Sequence, residues 1–168
     1  MQTSSQSSLG RLSGRTVPTA RGLALVALPY VLAAYIAYIL LWYLPFKFYP
    51  DSYLFQVLED WAGLPSFEPY FRYLTGGVEA VASLLLFIPG LQVAGAAVAL
   101  GTMTAAIFFH VFTPLGIDPY NDGGKLFTEA CTLWLFALAI LVMRRHEILP
   151  LLQRLVTDPR AARILADR

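Results

Sequence analysis

Long apolar segments constrain this sequence more than any other feature. Four segments approach or reach the roughly 20 apolar residues that a helix needs to cross a bilayer: Leu23–Leu44, Phe71–Ile88, Leu91–Phe112 and Leu126–Met143. Hydrophobic residues make up 57% of the chain and charged residues 14%, whereas a soluble domain is about 45–50% apolar and about 25% charged. The sequence therefore predicts an all-α fold, a membrane-embedded four-helix bundle.

The distribution of basic residues predicts the orientation of the four spans. Pro89 and Gly90 indicate a tight turn between the second and third spans, so consecutive helices are antiparallel. Most basic residues then fall on one side, before the first span (Arg11, Arg15, Arg21) or after the fourth (Arg144, Arg145, Arg154, Arg160, Arg163, Arg168). Because basic residues accumulate on the cytoplasmic side, we expect both termini to be cytoplasmic.

Three regions follow from this topology. Residues 1–21 are polar and rich in Ser and Thr, which predicts a disordered cytoplasmic tail, while residues 22–145 form the membrane domain. Residues 146–168 alternate apolar and basic residues and predict a basic amphipathic cytoplasmic tail, which either rests on anionic lipid or is solvated. The lipid bilayer is the expected partner, and a net charge of +1 gives no reason to expect nucleic acid. Cys131 is the single cysteine, so the chain has no internal dithiol pair.

The segment from residue 46 to residue 70, on the non-cytoplasmic side, contains an amphipathic stripe. Leu54, Val57, Leu58 and Trp61 have the spacing of one helix face. Three interpretations remain open at this point: a helix in the membrane interface, a lid over the bundle, or an element that binds a partner.

Ionisable residues interrupt three of the apolar spans at similar depth. Glu79 lies about 10 Å into the second span at 1.5 Å per residue, His110 lies near the end of the third, and Glu129 lies one turn into the fourth. A carboxylate facing lipid is unfavourable, so we expect Glu79 to face the interior, toward Arg72, His110 or Glu129. The candidate ligand-binding or proton-handling residues at this end are Lys47, Arg72, Glu79, His110, Lys125 and Glu129.

A purely structural role is the main alternative for these residues, because intramembrane Glu and His also join helices by hydrogen bonds. No spacing here has the geometry of a metal site, and no catalytic residue is assigned. Asp122 is expected to cap the fourth span, with Gly123 and Gly124 in the turn. In the third span Gly95 with Ala99, and Ala97 with Gly101, are small-residue pairs that favour close helix packing.

Several of these segments, taken together, resemble the DoxX family of bacterial membrane proteins. They are Lys47 after the first span, GGVEAVASLLLFIP at 76–89, IFFHVFTPLGI at 107–117 and NDGGKLF at 121–127. The resemblance covers roughly residues 22 to 145. It implies a four-helix bundle in the bacterial inner membrane, with Lys47, Glu79 and His110 as the family-like polar positions. Some family members resemble the small subunit of thiosulfate:quinone oxidoreductase, and others act in redox maturation or in oxidative-stress complexes. With Cys131 alone, this chain departs from relatives that handle disulfides.

Three functions remain open on this basis. The first is an accessory subunit of a redox-linked, quinone-associated membrane system, with quinone as the candidate cofactor. Such a subunit would either have no catalytic activity alone or be part of an oxidoreductase. His110, Arg72 or Lys125 would donate hydrogen bonds to the quinone oxygens, and Glu79 or Glu129 would exchange protons. The second is a scaffold or assembly factor without enzymatic activity, and the third is a small transporter for protons or solutes. The expected partners are a membrane redox protein or further copies of the chain.

Overall fold

Helices are the only regular secondary structure in the part of the chain that the structure describes. The structure is a computed structural model, and it describes residues 20–49, 52–65, 67–150 and 153. The α-helices are α1 (Ala20–Tyr43), α2 (Tyr53–Ala62), α3 (Arg72–Leu85), α4 (Gln92–Phe112) and α5 (Lys125–Met143). Short 3-10 turns follow α1 and α5, and a π-helical turn, Phe67–Phe71, leads into α3. Most of the two predicted tails, 1–21 and 146–168, lies outside the described residues.

The four longer helices close a ring. Helix α1 packs against α3 and α5, and α4 packs against the same two helices on the other side. The centre of the ring is filled by small and branched apolar side chains, among them Ala33, Ile36, Leu86, Ala99 and Leu133, all with almost no exposed surface. Chain order makes neighbours in the ring antiparallel, so α1 and α4 end where α3 and α5 begin.

Three of the predicted spans are long and apolar enough to cross a membrane. They are Val26–Lys47, Gln92–Phe112 and Lys125–Met143, close to the first, third and fourth segments in the sequence. In the most apolar 18-residue stretch of each of these three segments, only 33%, 28% and 22% of the residues, respectively, are buried in the fold. The remaining apolar surface points outward, which is typical of helices that face lipid.

The second predicted span, residues 71 to 88, is shorter than expected. Helix α3 has 14 residues, which is about 21 Å at 1.5 Å per residue and less than the roughly 30 Å of a hydrocarbon core. The helix ends at Leu85 and a turn occupies 86–91, because Pro89 interrupts helical hydrogen bonding and Gly90 adopts φ +80°. This turn is the one predicted between the second and third spans.

Of the two small-residue pairs in α4, only Gly95 with Ala99 lies in a helix contact. Both residues are buried, whereas Ala97 and Gly101 are exposed. A Cβ atom at Gly95 would lie 2.6 Å from the backbone nitrogen of Leu86 and 3.0 Å from the carbonyl oxygen of Ala82. The missing side chain at Gly95 therefore allows α4 to touch the backbone of α3.

Candidate functional site

A cavity of about 740 Å³ opens at the end of the ring where α1 and α4 end. All four long helices contribute to its wall, and most of the lining side chains are apolar. The titratable side chains that line it are Tyr43, Lys47, Glu79, His110, Tyr120 and Glu129. A largely apolar pocket with a few convergent polar groups is the usual form of a small-molecule site.

Lys47 and Glu79 form an ion pair in this wall. The Lys47 ammonium donates to Oε2 of Glu79, and the side chains retain 18% and 6% exposure. Gly76, one helical turn before Glu79, makes the pair reachable, because a Cβ there would lie 3.3 Å from the ring of Phe48 and 3.4 Å from Cβ of Lys47. The Gly76 and Glu79 spacing in the sequence thus places a close backbone approach and a carboxylate on one face of α3.

Arg72 is buried but does not line the cavity. Its Nε donates to both carboxylate oxygens of Glu68, at 2.7 and 2.9 Å. Its Nη1 donates to the backbone carbonyl of Lys47 at 2.7 Å and also to that of Tyr49. Arg72 is only 1% exposed, so its guanidinium fixes the segment after α1 and positions Lys47. The expectation that Glu79 faces Arg72 was therefore wrong. Both residues lie on a buried face of α3, but Arg72 pairs with Glu68 and Glu79 pairs with Lys47.

His110 is held in one orientation near the end of α4. Its Nδ1 lies 2.6 Å from the carbonyl oxygen of Gly116, its ring packs edge-on against Phe127 at 5.7 Å, and it is 4% exposed. Since a carbonyl oxygen only accepts, Nδ1 must be the protonated nitrogen. In the neutral ring Nε2 is then an acceptor.

Glu129 reaches the cavity from α5, and Lys125 does not. One Glu129 oxygen, Oε2, is buried without a hydrogen-bond partner among the described residues, and the Tyr43 hydroxyl lies beside the carboxyl group. Lys125 is exposed at the first position of α5 and is absent from the cavity wall. Lys125 lies one turn before Glu129 on about the same helix face, but as the first residue of α5 it is exposed outside the cavity wall.

The loop before α5 is organised by two aspartates. Oδ1 of Asp122 accepts the backbone N–H of Lys125 at 3.1 Å, which is the predicted capping role, and Gly123 and Gly124 have φ of 81° and 71°. Hydrogen bonding by the backbone of Gly124, with that of Asp122 and Gly123, lowers the pKa of the Asp118 carboxyl below its ordinary value. This loop also supplies Gly116, the partner of His110.

Helix α2 covers one side of the cavity. Leu54, Phe55 and Leu58 line it, and Phe55 and Leu58 are buried. Glu59 accepts the backbone N–H of Glu68 at 2.8 Å, which joins α2 to the turn before α3. Among the three interpretations of this amphipathic stripe, these contacts favour a lid.

The structure brings together four of the six candidate residues: Lys47, Glu79, His110 and Glu129. It also adds residues that the sequence did not single out, chiefly the Tyr43 hydroxyl beside Glu129. A tyrosine at the end of an apolar span is equally typical of the membrane interface, so no sequence signal distinguished it. Among the residues that the structure describes, no group of three or more His, Cys, Asp and Glu is placed to hold a metal ion.

Comparisons with protein-family models, with curated proteins and with solved structures find no match for this chain. The cavity and the residues that line it are therefore the features of the chain that indicate its function.

Proposed function

We propose that the chain is a four-span integral membrane protein resembling the DoxX family. The three long apolar helices are joined by α3, which is the second span in chain order and the shortest. Large apolar residues on α3 support this: Val81 is 53% exposed and Leu84 is 68% exposed, and exposed apolar surface of this kind is typical of helices that face lipid. A span of about 21 Å is accommodated by local thinning of the bilayer at a modest free-energy cost. The polar end of the ring, with Arg72 and Lys47, then lies near one membrane surface.

The proposed location is the bacterial inner membrane with both termini in the cytoplasm. The bias of Lys and Arg toward the two ends of the sequence supports this orientation. In the proposed orientation, the cavity lies in the non-cytoplasmic half of the membrane. Fusion of a reporter that is active only in the cytoplasm, after Arg168, tests it. We expect an active fusion, and an inactive fusion on an inserted, intact protein would contradict the orientation.

The function that the geometry supports best is binding of a lipophilic, quinone-type molecule, as an accessory subunit of a redox-linked membrane system. The observation that carries this proposal is the cavity itself, since its apolar walls end in Lys47, Glu79, His110 and Glu129. An apolar tail would lie among the apolar side chains, and the oxygenated ring would meet the polar groups. A volume of about 740 Å³ falls within the usual range for ligand pockets, about 300–1,000 Å³.

A ligand titration tests this proposal against the scaffold alternative. Purified protein in mild detergent is titrated with a short-tailed ubiquinone analogue, and binding is followed by the fluorescence of Trp42, Trp61 and Trp134. We expect saturable quenching that weakens in Glu79→Gln, because the substitution leaves the Lys47 ammonium without its partner. Absence of saturation, with wild type and Glu79→Gln indistinguishable, would contradict ligand binding.

The scaffold function makes a different prediction for the same variants. If the polar groups only fix helix packing, Glu79→Gln and His110→Ala lower the amount of folded protein and leave ligand binding per folded molecule unchanged. Folded protein is quantified from the monodisperse peak in size-exclusion chromatography, so that binding is normalised to it.

A further inference from the structure

The cavity wall reaches the outer surface of the ring between α3 and α4. Gly101 and Ala105 of α4 and Leu74 of α3 line the cavity and are also exposed, and Leu74 is 60% exposed. A Cβ atom at Gly101 would meet nothing within 4 Å, so no side chain of the described residues closes the wall at this point. The small residues Gly101 and Ala105 therefore leave a gap between the two helices.

This gap lies at hydrocarbon depth in the proposed topology. Gly101 is near the middle of the 21 residues of α4, about 14 Å from one end and about 17 Å from the other at 1.5 Å per residue. On α1 and α5, Leu40 and Leu133 line the cavity at a comparable distance from its polar end, and they are only 3% and 1% exposed. The wall is thus covered toward α1 and α5 and open between α3 and α4.

A shallow apolar groove on the outer face of α3 adjoins the gap. Leu74 and Val78 belong both to the cavity wall and to this outer groove. Gly77 leaves the middle of the groove open, since a Cβ atom there would also meet nothing within 4 Å. The residues that line the outer groove are Tyr73, Leu74, Gly77, Val78, Val81 and Val98. The cavity and the outer groove therefore share one apolar edge.

The polar end of the cavity wall also has exposed residues, but their surroundings differ. Phe46 and Tyr120 line the cavity and are exposed, and they lie in the turn after α1 and in the loop before α5. Tyr120 is followed by the exposed residues Asn121 and Asp122. An apolar chain that left the cavity here would enter water, which is unfavourable, whereas one that left between α3 and α4 would stay in hydrocarbon.

Resting on the proposed quinone-type site, we infer that its ligand is a lipid with a long apolar tail, which leaves the ring through the gap between α3 and α4. The oxygenated head lies in the cavity near Lys47 and Glu79, and the tail passes Gly101 and Ala105 into the outer groove. The cavity volume of about 740 Å³ therefore limits the size of the head and not the length of the tail. The same gap admits the ligand sideways from the bilayer, without passage under α2.

Binding to protein in lipid nanodiscs tests the inference. Two ubiquinone analogues share one ring, and one carries a short tail while the other carries a long polyisoprenoid tail. Dissociation constants are measured from saturable quenching of tryptophan fluorescence in wild type, in Gly101→Phe, whose aromatic side chain fills the gap, and in Ala97→Phe. Ala97 is the matched control, because it is exposed one turn earlier on α4 and lies outside the cavity and the outer groove.

We expect Gly101→Phe to weaken binding of the long-tailed analogue by about tenfold or more, because the tail and the new ring compete for one space. Binding of the short-tailed analogue should change by less than about twofold, and Ala97→Phe should match wild type for both analogues. Unchanged binding of the long-tailed analogue in Gly101→Phe, or equal losses for both analogues, would overturn the inference and leave the quinone-type site standing. Binding of neither analogue to wild type would contradict the proposed function itself.

A second measurement on wild type decides the inference even where Gly101→Phe does not fold. A long-tailed analogue with an azido group on its tail is photolysed on the protein, and the labelled residues are mapped by mass spectrometry. We expect labels at Tyr73, Val81 and Val98 that excess unlabelled long-tailed analogue suppresses. Labels at Phe46 and Tyr120 instead would show that the tail leaves at the polar end and would overturn the inference.

Discussion

The ion pair between Lys47 and Glu79 should be the most sensitive polar contact in the fold. In Lys47→Met, the Glu79 carboxylate stays in the wall with only 6% of its side chain exposed and loses its charge partner. Removing one member of a buried pair typically destabilises a protein by about 3–5 kcal/mol, since the remaining charge stays desolvated. Because Lys47 retains 18% exposure, we expect the lower end of that range, about 3 kcal/mol.

The double variant Lys47→Met with Glu79→Gln separates pairing from packing. It removes both charges, and replacing both partners is far less costly than removing one. We expect it to recover most of the lost stability, so that the two substitutions are coupled by about 2 kcal/mol in a double-mutant cycle. The free energy of unfolding is measured by titrating SDS into protein in mild detergent, with circular dichroism as the readout.

Lys125→Met is the matched control for this cycle. Lys125 is exposed at the start of α5, so its loss should change the free energy of unfolding by no more than about 0.5 kcal/mol. If Lys47→Met were as mild as Lys125→Met, or if the free-energy change in the double variant were simply the sum of the two single changes, the ion pair would not stabilise the site.

Three further predictions concern the helix contact, the loop and the lid. Gly95→Ala should destabilise the protein by about 1–3 kcal/mol, because its Cβ would lie 2.6 Å from the backbone nitrogen of Leu86, directly after α3. Gly101→Ala, with nothing within 4 Å, should be neutral or slightly stabilising in the same SDS titration, and equal effects would refute the close contact. The lowered pKa of Asp118 means that its ionised form stabilises the loop at neutral pH and that this contribution is lost as pH falls through the lowered pKa. The stabilities of wild type and Asp118→Asn should therefore differ at neutral pH and converge only as pH falls below about 4, and a constant difference would contradict this. Phe55→Ala should speed dissociation of the bound quinone analogue in stopped-flow fluorescence, because it opens the cavity under α2. Gln56 is exposed on the same helix, so Gln56→Ala should leave the dissociation rate unchanged. Similar rates in both variants would argue against a lid.

Span length and polarity are predictable from the sequence because they depend on local composition. The first, third and fourth apolar segments match α1, α4 and α5 within a few residues. The predicted capping by Asp122 and the turn at Pro89 and Gly90 also depend on local chemistry, and both occur. The predicted length of the second span was wrong, because the last residues of its apolar run belong to the turn at 86–91 and not to the helix.

Charge partners were less predictable, because sequence spacing gives the depth of a side chain and not its direction around the ring. Lys47 was recognised as a polar residue at the correct end, but its pairing with Glu79 depends on a loop that folds back over Gly76. Arg72 has Glu68 four residues earlier as its partner, a spacing available in the sequence. The lid was one of three interpretations of the stripe at 54–61, and only the position of Phe55 and Leu58 in the cavity wall favours it.

The location of a bound quinone-type ligand tests the proposed cavity site most stringently. Protein in lipid nanodiscs is photolabelled with an azido derivative of the quinone analogue, and the labelled residues are mapped by mass spectrometry. We predict labels in the cavity wall, at 101–115 and 126–133, that are suppressed by excess unlabelled analogue. Labels confined to outward-facing residues such as Trp42 and Leu84, without suppression, would contradict the account.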